Sequence, residues 1–551
     1  MKPSDLHPIG IACLGILALT AAVPADWQPA APGIDYDEFL LPDPNHVYVA
    51  RMDRAAANCF IESTIGQGKL ISGRETVSGM AQRYDDALAY WGQAWGPRND
   101  VVVAVNGDFF DLTTGAPTGG QIHSGWYAKR FPNVTGGSGF VWQLDRDVFI
   151  GECVTHTASK QKVTYVATGN SQNFQGINRA RGTNELIVYT PQYNVTTATD
   201  ATGAEVLVEM ARPTLILPTP SYAQGTVREV RPNLGGTVIP FDHVVLSAHG
   251  TAATTLLNNV SVGAEVRISQ EITHYEHDCS TPLGFDWTKT YASIGGSFHF
   301  LKGGVIQPSS DPGATARHPR TAVAYNSDYV FFIVVDGRSA ASVGMSMTEL
   351  GAFCLAYLSA TEGINQDGGG SSAMWVNGQI MNVPSDGTER AVANGLIMAQ
   401  VQTTELSDRL TAGDHVHTVL SATLRVGPGT NYSPFQASGA GASGLLAAHA
   451  LQGVLAKGEY WWKCQFGANT GWVPDNLIFR GGSVGDGDAD GDVDLDDYPL
   501  FADCLAGPGA APNPVLTGLT PRDCLDAFDT DVDLDVDARD FAALQSVWGG
   551  D

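Results

Sequence analysis

Basic residues are scarce in this chain. Of its 551 residues, 31 are Lys or Arg against 58 Asp or Glu, a formal charge of −27. A surface this acidic is repelled by phosphate backbones, which excludes nucleic acid as a partner. Long apolar runs are scarce as well: beyond the N-terminus no stretch approaches the ~20 apolar residues of a membrane-spanning helix. Charged residues of both signs make up only 16%, while Gly (63) and Pro (29) are plentiful. That balance argues against long exposed helices and for strands joined by turns. Cysteine is thin and scattered, with eight in the whole chain, which excludes a disulfide framework. Cys504 and Cys524, which bracket a Gly/Pro-rich excursion, are the expected pair, and Cys354 is expected as a buried free thiol.

What is present is apolar material for a large core, 43% of the residues, in a length that suits three or four domains. Lys2, the apolar run Ile9–Val23 and the small residues Val23-Pro24-Ala25 read as a secretory signal over 1–25, cut after Ala25. Most of the apolar run follows Cys13, so a lipid anchor on that residue is rejected. The expectation is a soluble, exported protein. Residues 26–44, rich in Pro and Ala, read as a linker. The segment 45–403 alternates short strands with Gly-rich turns and is the expected catalytic domain. A polar break at 404–414 precedes a small unit at 415–480, and Gly481–Val484 leads into an Asp-rich tail, 485–551. The fold class is α+β: a mixed-sheet domain, then a small all-β barrel, then a small helical domain.

The tail holds over half of the net charge. Residues 481–551 contain 17 Asp, no Glu, and only Arg522 and Arg539 as cations, so they carry −15. Asp486, Asp488, Asp490, Asp494 and Asp497 fall at positions 1, 3, 5, 9 and 12 of a calcium loop, with Gly491 at position 6 and the carbonyl of Asp492 as a further ligand. A solvated acidic run has no reason to keep that glycine or the hydrophobe Val493. Asp529, Asp531, Asp533, Asp537 and Asp540 repeat the spacing, with Asp535 at the carbonyl position. Position 6 there is Leu534, which strains the turn. Each loop leads into an apolar helix start. The duplication resembles a dockerin-type domain, and that resemblance implies Ca2+ and a cohesin-like protein partner. In 415–480, Arg425-Val426-Gly427-Pro428-Gly429, the pair Trp461-Trp462 and Gly471-Trp472-Val473 resemble a bacterial SH3-like module, its Trp residues read as core.

Within 45–403 several segments carry more polar information than a core requires. Asn106-Gly107-Asp108-Phe109-Phe110 follows the strand-like Val101–Val103. Arg320-Thr321-Ala322 enters a second strand. The apolar Phe331–Val335 runs into Asp336-Gly337-Arg338. Ser346 and Glu349 form a capping box at the start of a helix, which makes Glu349 structural. Asp367-Gly368-Gly369-Gly370-Ser371-Ser372 follows that helix and a short strand. Three glycines there let backbone approach a ligand and offer N–H groups to an anion. Last come Ser385, Asp386, Glu389, Arg390 and Asn394. In this order the motifs are similar to those of the phosphodiester glycosidase family, with Glu75–Ala81 matching an early helix. The stretch 151–290 reads as an insertion.

The resemblance implies a hydrolase acting on a sugar joined through its anomeric carbon to a phosphodiester, in a polysaccharide or wall glycan. Arg320, Arg338 and Arg390 would neutralise phosphate through guanidinium forks. Asn106, Gly368, Gly369, Gly370, Ser371, Ser372, Ser385 and Asn394 would complete the binding surface. Asp108, Asp336, Asp367, Asp386 and Glu389 are the candidate nucleophiles or bases, with Asp367 and Asp336 favoured because both end strands. No catalytic cofactor is evident. The rival reading is a non-catalytic glycan-binding surface protein attached through its C-terminal modules. A phosphodiesterase cutting the P–O bond would want clustered metal ligands, and His123, His156 and His318 are scattered.

Overall fold

The computed structural model describes residues 26–131, 139–156, 161–211, 223–269, 272–275, 279–283, 289–418, 420–531 and 533–547. The signal read at 1–25 lies outside them. Two antiparallel sheets face each other. One has eight strands in the order Gln28–Ala31, Ile34–Leu41, Asn45–Asp53, Tyr329–Val335, Arg320–Tyr325, Glu362–Asn365, Ser297–Lys302 and Val305–Ile306. The other has five: Gln379–Ile380, Met374–Val376, Arg98–Asn106, Asn394–Gln402 and Cys59–Ile65.

Alternation along the strands explains the packing. In Tyr329–Val335, the side chains of Val330, Phe332 and Val334 join the core between the sheets, with Ala104 and Ile397. Phe331, Ile333 and Val335 point the other way, under the helix Met347–Leu358. A strand covered on both faces must be apolar throughout, and this one is. The helix begins at Ser346 with the expected capping box, and buries Leu350, Phe353, Cys354 and Leu358. A shorter helix, Val77–Tyr84, is capped by the Thr76 side chain and packs Val77, Ala81 and Tyr84 into the core between the sheets. Strands Arg98–Asn106, Tyr329–Val335 and Glu362–Asn365 all finish at one end of this sandwich, as the register pairs Arg320↔Val335, Ala322↔Asn365 and Gly395↔Asn106 require.

The molecule is mostly β with few helices. The mixed sheet is the one formed by residues 162–269, where Gly176–Ile177 pairs parallel with Leu186–Tyr189. It has its own core around Val188, Val206, Val244 and Ile268. The chain leaves for it from Val148–Gly151 and returns at Thr290–Gly295, two strands of one five-stranded sheet. Residues 415–480 form a further antiparallel sheet in which Trp461, Trp462 and Trp472 are fully buried. The helices Tyr498–Cys504, Pro521–Phe528 and Ala538–Val547 enclose a small core in the tail.

Three boundaries differ from the sequence reading. Residues 26–44 are not a linker: Ile34–Leu41 pairs along its whole length with Asn45–Asp53 and extends the main sheet. The Pro/Ala composition misled, while Pro42-Asp43-Pro44 is the turn of this hairpin. The polar segment 404–414 belongs to the next unit, because Leu410 is buried in its core and Ser407 N–H donates to Gly453. Gly481 and Gly482 are a packed joint, with Gly481 N–H on the His415 carbonyl. Cys504 and Cys524 are bonded as expected. A second pair, Cys153–Cys279, was not foreseen, since its partners lie far apart in sequence. Cys354 is a free, buried thiol.

His299 pins the main sheet to the neighbouring five-stranded one. Its Nδ1 lies 2.8 Å from Glu152 and its Nε2 2.9 Å from Glu362. Donating to both requires the doubly protonated ring. Burial alone would lower its pKa, but the bonds to Glu152 and Glu362 raise it; Glu152 is held down to about 2, chiefly by the bond from His299. The imidazolium therefore contributes stability fully below the unfolded value of ~6.5 and loses it as pH rises through the raised folded pKa. His299→Gln is expected to cost roughly 2–4 kcal/mol at pH 6, with the difference shrinking at alkaline pH. Urea unfolding of both proteins across that range measures it.

Candidate functional site

At the shared strand end the two sheets are tied by one buried amide. Asn106 Oδ1 accepts from Thr321 Oγ1 at 2.6 Å and from the Ala373 N–H at 3.2 Å. Its Nδ2 donates to the Asp367 carbonyl at 2.7 Å. Asp367 N–H in turn donates to the Gly107 carbonyl at 2.8 Å. Asn106 therefore holds the glycine loop in place rather than facing ligand.

The loop is built for close approach. Gly369 has φ +64, a left-handed value that favours glycine, and a Cβ on it would lie 2.9 Å from Arg338 Nη2. Gly370 has no room for a Cβ against Asp386 and Arg390. Part of the expected backbone anion cradle is already engaged: the N–H groups of Gly369, Ser371 and Ser372 donate to the carbonyls of Pro319, Gly368 and Gly369, so at those three positions an anion would meet guanidinium groups and hydroxyls instead.

Two of the three arginines converge there. Arg338 is exposed, has φ +63, and reaches Ser385 Oγ at 3.4 Å. No carboxylate pairs with it among the described residues. A left-handed arginine beside a ligand-ready loop is the kind of strain functional sites keep. Arg390 donates Nε to Asp386 at 3.0 Å and Nη1 to Ser371 Oγ at 3.3 Å. Asp386 is thus the anchor of an arginine. Arg320 departs from expectation: it is 5% exposed, and donates to the carbonyls of Met345, Gly313 and Ala316, each at 2.7 Å. It braces the chain on the helix side of the sheet, with Nε and Nη2 both taken by carbonyls.

The five carboxylates separate by what already holds them. Glu389 accepts from Ser78 Oγ at 2.6 Å and Ser78 N–H at 3.0 Å, so it caps the helix Val77–Tyr84. Asp336 accepts from Tyr48 OH at 3.1 Å, Asn382 Nδ2 at 3.2 Å and Val383 N–H at 3.1 Å. Although favoured in the sequence, it is the knot that fixes the 382–383 turn. Asp367 is partly exposed; burial raises its pKa, while Ser371 and the Arg390 charge pull it down. Asp108 is 4% exposed and accepts from Gly119 N–H at 2.5 Å and Phe109 N–H at 2.8 Å. Burial, with a smaller push from Asp367, lifts it to about 6, against those two bonds and the Lys129 charge. Asp108 and Asp367 are therefore neighbouring carboxylates whose proton affinities are both raised, chiefly by burial.

Ser372 Oγ and Asn394 Oδ1 are buried at this end without hydrogen-bond partners, as are both amide atoms of Gln366. Asn394 Nδ2 donates to Gln121 Oε1 at 3.0 Å. Two residues were missed in the sequence. Lys129, on the strand Trp126–Lys129, donates to the carbonyls of Pro117 and Thr118 and bears on Asp108. His318 precedes Pro319, whose carbonyl receives Gly369 N–H; burial and the charges of Arg320 and Arg338 lower its pKa, so it is neutral at pH 7. The tract His318-Pro319-Arg320 was the available signal, read for its arginine.

Residues 223–399 match the family model of the phosphodiester glycosidases. That span holds the loop, Asp336, Arg338, Asp386, Arg390 and Asn394, and leaves Asn106, Asp108 and Lys129 outside. The uncharacterised prophage-derived protein YomE of Bacillus subtilis (strain 168) is 42% identical over 88 residues, 15% of this chain and 13% of that one. A hypothetical protein from Synechocystis is similar in structure, with a TM-score of 0.46 at 14% identity over 69% of this chain and 64% of the other. The catalytic domain of zebrafish N-acetylglucosamine-1-phosphodiester alpha-N-acetylglucosaminidase, auto-inhibited by its pro-peptide, gives 0.32 at 14% identity over 68% and 88%. The chain spans about an eighth of the curated relative and under two thirds of the Synechocystis structure.

In the tail, the two Asp-rich loops share one hydrogen-bond pattern. Position 1 accepts from the N–H of position 6, Asp486 from Gly491 at 3.1 Å and Asp529 from Leu534 at 2.9 Å. Position 12 accepts from the N–H of position 2, Asp497 from Gly487 at 2.6 Å and Asp540 from Thr530 at 2.7 Å. Carboxylate oxygens of Asp486, Asp488 and Asp497, and of Asp529, Asp531 and Asp540, lie within 4.8 Å of one another. Asp486 Oδ1 is buried without a partner. This donor set suits a hard divalent cation. Leu534 takes φ +71, where Gly491 has +110. No helix among the described residues is long and apolar enough to cross a membrane.

Because Asp336 is buried under three donors while Asp367 is partly exposed and held only by Ser371 and the Gly368 N–H, their amides should behave differently. Asp336→Asn is expected to lower stability by about 1–3 kcal/mol, since the new NH2 faces donors. Asp367→Asn is expected to stay within about 0.5 kcal/mol of the parent. Chemical unfolding of the two variants checks both.

Proposed function

We propose that this chain is an exported hydrolase that cleaves the glycosidic bond of sugar-1-phosphodiesters, of N-acetylhexosamine type, in polysaccharide or cell-wall glycans. The convergence of Asp367, Arg338 and Arg390 on the glycine loop carries the reading, and the family match over 223–399 supports it. Arg338 and Arg390 neutralise the phosphodiester, which leaves with the electron pair of the C–O bond. Asp367 faces the anomeric carbon as nucleophile or as base for water, with Asp108 beside it as the second carboxylate. Arg320, Asp336 and Glu389 support the site through the contacts described above.

The C-terminal units attach the enzyme. Residues 415–480, with 404–414 packed onto them, act as an SH3-like module and 485–551 as a dockerin-like one, binding Ca2+ through Asp486, Asp488, Asp490, Asp494 and Asp497, with the carbonyl of Asp492. Asp529, Asp531, Asp533, Asp537 and Asp540, with the carbonyl of Asp535, form the second site. A cohesin-like protein is the proposed partner. The repeated hydrogen-bond pattern and the unpaired Asp486 oxygen support the cation reading.

Hydrolysis of sugar-1-phosphodiesters in ¹⁸O-labelled water tests the chemistry. Label is expected in the sugar; label in the phosphate would mean P–O cleavage. Asp367→Asn is expected to lose at least about a thousandfold in kcat and Arg338→Ala about a hundredfold, as for other groups acting on developing charge. Full activity in Asp367→Asn would overturn the assignment, and no turnover on any diester would favour a glycan-binding protein without catalysis.

For the tail, a chelator is expected to raise hydrogen exchange in 485–547 and leave the sandwich strands unchanged. Leu534→Gly is expected to tighten the second cation site about tenfold by removing roughly 1–2 kcal/mol of left-handed strain, which calcium titration calorimetry would read.

A further inference from the structure

The two Asp-rich loops of the tail share a hydrogen-bond pattern but not a neighbourhood. The first is packed on the 415–480 unit. His415 N–H donates to the carbonyl of Ala489, inside the loop, at 3.2 Å, and Gly481 N–H donates back to the His415 carbonyl at 2.9 Å. Gly491, at position 6, faces the His415 ring so closely that a Cβ on it would lie 2.8 Å from Cε1. Asp486, at position 1, is fully buried. Its Oδ2 accepts from Gly491 N–H at 3.1 Å and also from Gly482 N–H, in the joint between the two units. The carboxylate that opens the first site is therefore aimed by a donor outside the loop. The second loop is bonded elsewhere. Ala506 N–H and Gly507 N–H donate to the Val536 carbonyl at 3.0 and 3.1 Å, and Gly509 N–H donates to Asp535. Leu534, at its position 6, is 70% exposed.

Beside this contact lies a buried charge network. Arg409 donates Nε to Asp475 at 2.9 Å, and Nη1, also at 2.9 Å, to Asp526 of the tail helix Pro521–Phe528. Arg522, on the same helix, returns two bonds, to Asp475 Oδ2 at 2.5 Å and to the Asp475 carbonyl at 2.9 Å. Asp475 and Asp526 are 7% and 8% exposed. Acids buried to that degree are tolerated with their arginines in place and are costly without them, so the network specifies one docked position. The helix passes that position on to the first loop. Gly485 N–H donates to the Ala527 carbonyl at 2.7 Å, and Phe528 shares a core with Val493, position 8 of the loop.

We infer that the first loop is a cation-operated latch: a divalent cation in it locks the tail onto the 415–480 unit, and the second loop takes no part in that docking. The inference rests on the cation reading of the tail. Carboxylates of Asp486, Asp488 and Asp497 lie within 4.8 Å of one another and repel when no cation is among them. Opening of the loop draws Asp486 away from Gly482 and Ala489 away from His415, two of the bonds that join the units. Linkage makes the effect reciprocal: docking, which orients Asp486 beforehand, tightens the first site by the same factor by which the cation tightens docking. The latch decides whether the C-terminal module is a rigid extension of the chain or a tethered one.

The test combines hydrogen exchange with calcium titration calorimetry on the full chain. Asp488→Ala disables the first loop and Asp531→Ala the second; both side chains are exposed, so neither change opens a core. In excess calcium, the amides of His415 and Gly482 are expected to exchange at least tenfold faster in Asp488→Ala than in the parent, and at the parental rate in Asp531→Ala. Conversely, Arg409→Ala is expected to weaken at least tenfold the calcium site that Asp488→Ala abolishes, and to leave the other unchanged. Arg522→Ala, whose side chain is 42% exposed, is expected to act in the same direction while leaving the 415–480 fold intact. Parental exchange at both amides in Asp488→Ala would overturn the latch, as would parental affinity at the first site in both arginine variants. Equal acceleration in Asp488→Ala and Asp531→Ala would also overturn it, since the tail would then respond as a whole. No calcium heat in the parent would overturn the cation sites and the latch together, whereas two filled sites with none of these couplings would overturn the latch alone.

Discussion

Everything at the candidate site depends on the Asn106 amide. It is buried where the two sheets meet, and its oxygen and nitrogen reach Thr321 on one sheet, the Asp367 carbonyl on the loop, and Ala373 beyond it. Inside a protein such a bond is stronger than in water and far costlier to leave unmade. The loop is thereby fixed at both ends before any ligand arrives, and the glycines within it can be spent on closeness to Arg338 and Arg390 rather than on flexibility.

Around that fixed loop, charge is arranged by tethering some groups and leaving others free. Asp386 holds Arg390 over Ser371, Ser385 steadies Arg338, and Glu389 serves a helix end. Asp336, the most heavily bonded acid, gives its oxygens to the turn that carries Ser385 and Asp386. What remains for a substrate is one partly open carboxylate, its buried neighbour Asp108, and two guanidinium groups. That is a small set for a domain of this size, and it is economical because each member has a dedicated support.

Much of the frame was legible in the sequence. A strand that must be covered on both faces, Phe331–Val335, shows as an unbroken apolar run; the Ser346–Glu349 box announced its helix; and the aspartates of the tail are informative because their spacing is local. The roles of Arg320, Asp336 and Glu389 were not legible, because what decides them is a partner elsewhere: carbonyls at 313, 316 and 345, a tyrosine at 48, a serine at 78. Composition also misled at 26–44, where Pro and Ala obscured a hairpin whose pattern needs Asn45–Asp53 beside it to be read. Local chemistry is written in local sequence; which carboxylate is free is a long-range property.

The pairing of Asn45–Asp53 with Tyr329–Val335 has a consequence for how the chain acquires its shape. The first hairpin of the main sheet forms early from neighbours in sequence, and then presents an unpaired apolar edge until the strand that covers it has been made. The insertion sheet, whose strands all pair within residues 162–269, can complete itself in the meantime. Such contact order makes closure of the sandwich the slow event, and an exposed strand edge is a template for wrong pairing while it waits. The order of synthesis thus places the greatest risk of misassembly on the strand that later carries Asp336 and Arg338.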